Sequence, residues 1–195
     1  MQQELNQVGR LFWWRRYVAF LMKPFWRWRA RRVAGHVLPF IPEGARVLDV
    51  GSGNGLIAEE IKRQKNAALS LLDVIDWNIS TFPVTLFDGK HVPFGDKEFA
   101  VVTLIDVVHH SEDENVLMQE ALRVAKRVVL VEEAHGTGLA NILATIIDNV
   151  QYVLYGMPVG THHRNNAQWL EFCKVHCPGA RQVRQYFQHG VFVLE

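Results

Sequence analysis

Residues 47–55 read Val-Leu-Asp-Val-Gly-Ser-Gly-Asn-Gly, and no other stretch narrows the fold as much. Val47, Leu48 and Val50 form a short apolar run of the kind found in a buried strand. Gly51, Gly53 and Gly55 then take every second position, and a helical pattern starts at Leu56. Glycines at a strand-to-helix turn adopt backbone angles that other residues resist, and they let main chain come close to a ligand. Their spacing separates ligand classes. A dinucleotide fingerprint is G-x-G-x-x-G, with pyrophosphate resting on the helix N-terminus. Here Leu56 stands where the third glycine belongs, and a glycine comes one residue early. Asp49, two residues before Gly51, is an acceptor for an ammonium or hydroxyl and would repel a pyrophosphate.

From Ala45 onward strands and helices alternate. Strands are expected at Arg46–Val50, Ala68–Val74, Val84–Phe87, Phe99–Ile105 and Arg127–Val131. Phe99–Ile105 is apolar enough to be buried on both faces. Helices are expected over about 56–64, 112–125, 139–154 and 168–177, and Ala180–Phe187 with Gly190–Leu194 reads as a closing hairpin. That order predicts a three-layer α/β sheet with a terminal antiparallel pair. The 195 residues suffice for one such domain.

Residues 6–32 read as helical, with Pro24 splitting or kinking the segment. They are strongly basic: residues 1–32 carry eight Lys/Arg against the single acid Glu4, for +7, and the remainder sums to −6. We therefore divide the chain into a basic, aromatic arm at 1–42 and an acidic domain at 43–195. Leu11, Trp14, Tyr17, Val18, Leu21, Phe25 and Trp28 share one helical face, and Arg16, Lys23, Arg27 and Arg31 lie opposite, on a face whose polarity Trp13, Phe20 and Trp26 interrupt. Such an arm suits a lid over a pocket, an anionic membrane surface met through residues 10–32, or nucleic acid, the last being the weakest reading. No run of ~18 apolar residues and no signal-peptide pattern is present. Two cysteines, Cys173 and Cys177, argue against a disulfide framework and for a reducing, cytoplasmic setting, peripheral on the inner face of a membrane if the arm binds one. Cys173, His176 and Cys177 share one helical face without a fourth ligand, which reads as a packed helix and leaves no metal site expected.

Ligands of an open parallel sheet bind beyond the C-terminal ends of its strands. Acids recur there. Asp73 ends the second strand, and its two oxygens can accept both hydroxyls of a ribose. Asp76 competes for that role if the strand runs longer. Asp88-Gly89 follows the third strand, where a carboxylate can accept from an adenine amino group, and Asp106 closes the fourth.

The D-x-G-x-G-x-G pattern at 49–55 resembles motif I of the class I S-adenosylmethionine-dependent methyltransferases, and the likeness extends over roughly residues 44–134. Phe87-Asp88-Gly89, Pro93-Phe94 and Phe99–Val102 resemble the family's stretch after the third strand and its fourth strand. Asp106-Val107-Val108-His109-His110 resembles the segment that lines the methionine end of the cofactor. The general look is of the methyltransferase type 11, ubiquinone/menaquinone-biosynthesis kind. The resemblance implies a Rossmann-like methyltransferase fold with a mostly parallel seven-stranded sheet. It also implies S-adenosyl-L-methionine as cofactor, held by Asp49, Gly51, Ser52, Gly53, Asn54, Gly55, Asp73, Val74, Asp88, Gly89, Asp106 and Val107. Two features depart from the family pattern. Ala100 replaces a common aspartate, and Val124-Ala125-Lys126-Arg127 connects directly where a Pro-Gly-Gly turn is usual.

A sulfonium methyl is already activated, so proximity and in-line geometry dominate and a general base is optional. His109, His110, Glu132, Glu133, His135, His162 and His163 lie on segments that can border the site. His110 leads because it follows the fourth strand, and His135 is second because it follows the fifth. No Asn/Asp-Pro-Pro-Tyr/Phe segment and no suitably placed cysteine point to nucleobase chemistry. A small, hydrophobic or membrane-partitioned acceptor is expected. The alternatives are a cofactor-binding partner subunit without transfer activity and a nucleic-acid methyltransferase steered by the arm. Neither the acceptor atom nor the oligomeric state is legible in the sequence.

Overall fold

The computed structural model of the chain describes residues 21–134 and 164–195. A helix, α1 (Lys23–Val37), precedes the sheet and leads through a short 3-10 turn at Leu38–Phe40. The sheet region then runs β1 (Arg46–Val50), α2 (Leu56–Lys65), β2 (Ala68–Asp73), β3 (Val84–Leu86), β4 (Phe99–Ile105), α3 (Glu114–Val124) and β5 (Ala125–Glu133). After the 135–163 segment come α4 (Asn166–His176), β6 (Arg181–Tyr186) and β7 (His189–Leu194). The expected helix at 139–154 lies outside the described residues.

The seven strands form one sheet in the order β3-β2-β1-β4-β5-β7-β6. β1 to β5 pair in parallel, and β7 runs antiparallel to both β5 and β6. Period-2 alternation splits the apolar residues between two faces. Leu48, Val50, Val102, Leu104, Val128 and Leu130 meet Leu117, Met118, Ala121, Trp169 and Phe172 of α3 and α4. Val47, Val101, Ile105, Val129 and Val131 meet Val33, Ala34 and Val37 of α1 and Ile61 of α2. The strand order reverses between β1 and β4, which opens the crevice where such sheets bind ligands.

Three boundaries differ from the sequence reading for identifiable reasons. Pro24 sits in the first turn of α1, where its missing N–H has no partner to lose, and the helix that starts there continues past residue 32 to Val37; residues 6–20 of the expected helical segment lie outside the described residues. β2 stops at Asp73, because its carboxylate accepts from the amides of Val74 and Ile75 and turns the chain. β5 begins at Ala125, directly after α3. There Lys97 Nζ donates to the carbonyls of Leu122 (2.7 Å) and Ala125 (2.8 Å), supplying the cation and donors that a helix C-terminus requires.

On α4, Cys173 is buried against the sheet and its thiol is pushed up to about 12 by burial. Cys177 Sγ faces the Glu195 carbonyl at 3.6 Å and His176 Nε2 pairs with Asn115 Oδ1 at 3.1 Å, so the three side chains are engaged separately. No helix among the described residues is long and apolar enough to cross a membrane.

Candidate functional site

The glycine loop turns from β1 into α2 with φ of +70° at Gly51, +55° at Gly53 and +73° at Gly55. At Gly51 a side chain would be strained by the positive φ, and a Cβ would stand 2.2 Å from Val107 Cγ2, so Val107 would have to move. Gly53 faces Trp77, whose ring lies 3.1 Å from the position of a Cβ. Gly55 caps α2 and packs against Asn78 and Ser80.

Beside this loop, at the C-terminal ends of β1, β2 and β4, is a cavity of about 410 Å³. Gly51, Gly53, Asp73, Val74, Asp88, Gly89, Asp106, Val107 and His110 all line it. Asp49, Ser52, Asn54 and Gly55 stand behind that wall and are not part of its lining. Asn54 Oδ1 accepts from the amide of Leu56 at the helix start. His135, His162 and His163 lie outside the described residues.

Asp73 is 8 % exposed. One carboxylate oxygen accepts from Gly53 N at 2.7 Å, and the other from Val74 N at 2.7 Å and Ile75 N at 3.2 Å. Burial raises its pKa, and these three amides oppose the rise. The amides fix the carboxyl at the cavity wall. Asp76 is not in the lining and instead accepts from Asn78 N, so of these two acids it is Asp73 that borders the cavity. Asp88 accepts from the amides of His91 and Lys90 and from His91 Nδ1, first the His91 amide and then its ring holding the carboxyl well below the usual range.

Asp49 is buried, and its Oδ1 accepts a hydrogen bond from the Thr103 hydroxyl at 2.7 Å. Burial pushes its pKa up to about 7; the Thr103 bond opposes this and the Asp73 charge adds to it. Asp49 thus places a second carboxyl behind the loop, next to the one at its rim.

Asp106 has φ of +52°, uncommon for a residue with a side chain and tolerated best by Asp and Asn. Its Oδ2 lies 2.5 Å from Arg29 Nη2 of α1, and its Oδ1 3.2 Å from His189 Nε2 of β7. Burial alone would raise this carboxyl, but His189, Arg29 and His109 outweigh it and hold it ionised.

His109 and Glu132, both candidates from sequence, form a buried pair at 2.5 Å. Glu132 also accepts from Val107 N (3.2 Å) and Val108 N (2.7 Å). The pair therefore shapes the turn after β4, and neither side chain lines the cavity. The carbonyl of Glu133 accepts from Trp169 Nε1. His110, the next residue along that turn, does line it.

Val50 and Phe87, at the ends of two expected strands, also line the cavity, and Ile75, Trp77, Ser111, Glu112 and Leu117, which the sequence did not single out, complete it. The aromatic Trp77, four residues past a strand-ending acid, was the one available signal. α1 reaches this region at three points. Lys23 Nζ donates to Ile79 O at 3.3 Å, Trp26 meets Trp77 edge-on at 6.4 Å, and Arg29 meets Asp106.

The lining is acidic: Asp73, Asp88, Asp106 and Glu112 border an otherwise largely apolar space, and His110 adds an imidazole. Hydroxyls and positive charge on a ligand suit those carboxylates, an aromatic base suits the Trp77 and Phe87 walls, and a phosphate finds no cation there among the described lining residues.

A family model of methyltransferase domains matches residues 25–188. The ubiquinone biosynthesis O-methyltransferase of Caulobacter vibrioides is 27% identical over 146 residues, 68% of this chain and 55% of that protein. The demethylmenaquinone methyltransferase of Thermotoga maritima is 26% identical over 120 residues, 57% of this chain and 50% of that one. The chain spans about half the length of the curated relatives it matches. Among solved structures, a SAM-dependent methyltransferase from Archaeoglobus fulgidus superposes with a TM-score of 0.67 at 14% identity, covering 91% of this chain and 99% of that one.

Proposed function

The chain belongs to the methyltransferase-domain family, with S-adenosylmethionine as its cofactor, and from that premise we propose that it transfers a methyl group to a small, hydrophobic acceptor. The observation that carries this is the acid-rimmed cavity against the glycine loop, at the sheet's topological switch point. When bound, the cofactor supplies a methyl group on a sulfonium, already activated toward nucleophiles.

The chain's own residues supply placement. Gly51 and Gly53 leave backbone bare at the cavity wall, Asp73 offers acceptors to ribose hydroxyls, and Asp88 offers one to an exocyclic amine. Asp106 and Val107 border the end from which the acceptor would approach, and His110 is the group there that can take a proton from an acidic hydroxyl. His110 is the leading catalytic candidate, and His135 remains a second candidate on sequence grounds. Trp77, Phe87 and Leu117 make the space apolar and exclude water, which favours an in-line encounter.

The curated relatives are named for ubiquinone and menaquinone biosynthesis, which supports an acceptor of quinone-like size and polarity here. In this reading residues 43–195 hold cofactor and acceptor, residues 1–42 cover them, and the enzyme works in the cytoplasm against the inner face of a membrane, where such an acceptor partitions. Calorimetry with S-adenosylmethionine, followed by labelled methyl transfer to a series of hydroxylated aromatics bearing alkyl tails, tests it. Saturable binding and label in an extractable product are expected. Absence of binding would overturn the reading, and binding without any labelled acceptor would favour a partner subunit.

A further inference from the structure

Helix α1 has two apolar sides, and the sheet uses one of them. Ala30, Val33, Ala34 and Val37 are buried against the core. Leu21, Phe25 and Trp28 recur at the i, i+4, i+7 spacing of a single stripe on the opposite side, where they are 58%, 47% and 54% exposed. Met22 adjoins them at 40%. Phe25 and Trp28 rings lie 6.0 Å apart, and the Arg32 guanidinium sits 5.1 Å from the Trp28 centroid. Arg27, Arg31 and Arg32 are exposed around the stripe, and no acid occurs between residues 21 and 37. The inward ties of the same helix, Lys23 to Ile79, Trp26 to Trp77 and Arg29 to Asp106, reach the residues that line and flank the cavity.

We infer that the outward face of α1 is a docking surface for an anionic bilayer, so that the helix beside the cavity is also the element that meets the membrane. This rests on the proposed working place of the enzyme and deepens it by assigning the contacting residues. Charge selects the occupant. An apolar stripe ringed by arginines complements a surface whose interior is hydrocarbon and whose headgroups are negative. A second copy related by a two-fold axis would bring arginines against arginines. Leu21 and Met22 extend the stripe beyond its two rings with aliphatic surface that suits acyl chains and that base stacking would leave unused. Arg29 is not part of this surface, because Asp106 holds it.

The test uses the full chain sedimented with vesicles of phosphatidylcholine alone and of equal parts phosphatidylcholine and phosphatidylglycerol. Partition to the anionic vesicles, weakened by salt and absent with neutral ones, is expected. The pair Phe25→Ser and Trp28→Ser, and separately Arg27→Glu with Arg31→Glu, should each lower partition by about tenfold or more. Both pairs should leave the heat of S-adenosylmethionine binding unchanged, since all four lie on the outward side of α1 and none lines the cavity. Equal partition of the Phe25/Trp28 pair and the parent overturns the assignment. So does binding to single-stranded RNA in place of vesicles, or a dimer that these changes dissociate. Loss of cofactor binding in the parent would count against the catalytic reading and leave the vesicle result intact, so the two failures are separable.

Discussion

At Gly51 the backbone favours glycine, because φ is +70° and Val107 fills the space a Cβ would need. Gly51→Ala is expected to cost roughly 1–3 kcal/mol of stability from strain and overpacking, and to abolish cofactor binding by displacing Val107. Urea unfolding and calorimetry measure the two effects separately. Asp49 carries the main pH prediction. Its folded pKa is raised to about 7 from an ordinary 3.8, so between those values the folded state holds a proton that the unfolded state has released. Stability therefore falls as pH rises through that window, by up to roughly 4 kcal/mol, and stays lower above it. Asp49→Asn should match the parent near pH 3 and exceed it increasingly up to about pH 8, as read by urea midpoints. Because a cationic ligand favours ionised carboxyls, cofactor affinity in the parent should fall as pH drops below 7, and the Asn variant should flatten that profile. Glu132 is wholly buried and accepts from two amides and His109. Glu132→Gln removes the charge that these donors share and is expected to cost about 2–4 kcal/mol. A variant as stable as the parent would show that this turn is held otherwise.

Among elements, the junction of α3 and β5 shows a loop replaced by a side chain. The family's usual Pro-Gly-Gly turn is missing, and strand follows helix without a spacer. Lys97, itself at φ +52°, reaches from the preceding loop to the carbonyls of Leu122 and Ala125. Lys97→Met keeps the stem and removes the donors, and is expected to lower stability by about 1 kcal/mol in chemical denaturation. At the other end of β5, Ala134 bridges Arg164. Arg164 makes two bonds to Glu114, at 2.5 and 2.6 Å, and covers Trp169 at 4.9 Å. Ala134 and Arg164 are thereby held together at the C-terminal end of β5. α1 shows what patterning can and cannot reveal. The shared face of Leu21, Phe25 and Trp28 was readable from spacing, but spacing could not say whether that face was turned inward.

For the molecule as a whole, the sheet order places β1 and β4 side by side and gathers three loops around one cavity. A ligand that binds only this folded arrangement stabilises it by mass action. S-adenosylmethionine at about a hundredfold over its Kd should add roughly 2.7 kcal/mol and raise the melting temperature by several degrees. No shift in a thermal melt would argue against the cavity as its site. The charge is also divided along the chain at this scale: residues 1–32 sum to +7 and the remainder to −6, behind a net charge of +1.

The strand-glycine-helix signature, the alternation of elements and the acids at strand ends were all legible in the sequence, because they follow from local backbone sterics and from periodicity. Asp73, Asp88, Asp106 and His110 indeed meet at one cavity. The structure alone decided how contacts distant along the chain divide the remaining roles. It set Asp49 behind the loop on Thr103, and paired His109 with Glu132 as support for a turn. It also brought Trp77 to the cavity wall and tied Arg29 to Asp106 across the sheet edge. Those partners lie between 23 and 77 positions apart where they are bonded pairs. No pattern in a linear chain orders such pairs; the packing of helices against the two faces of the sheet does.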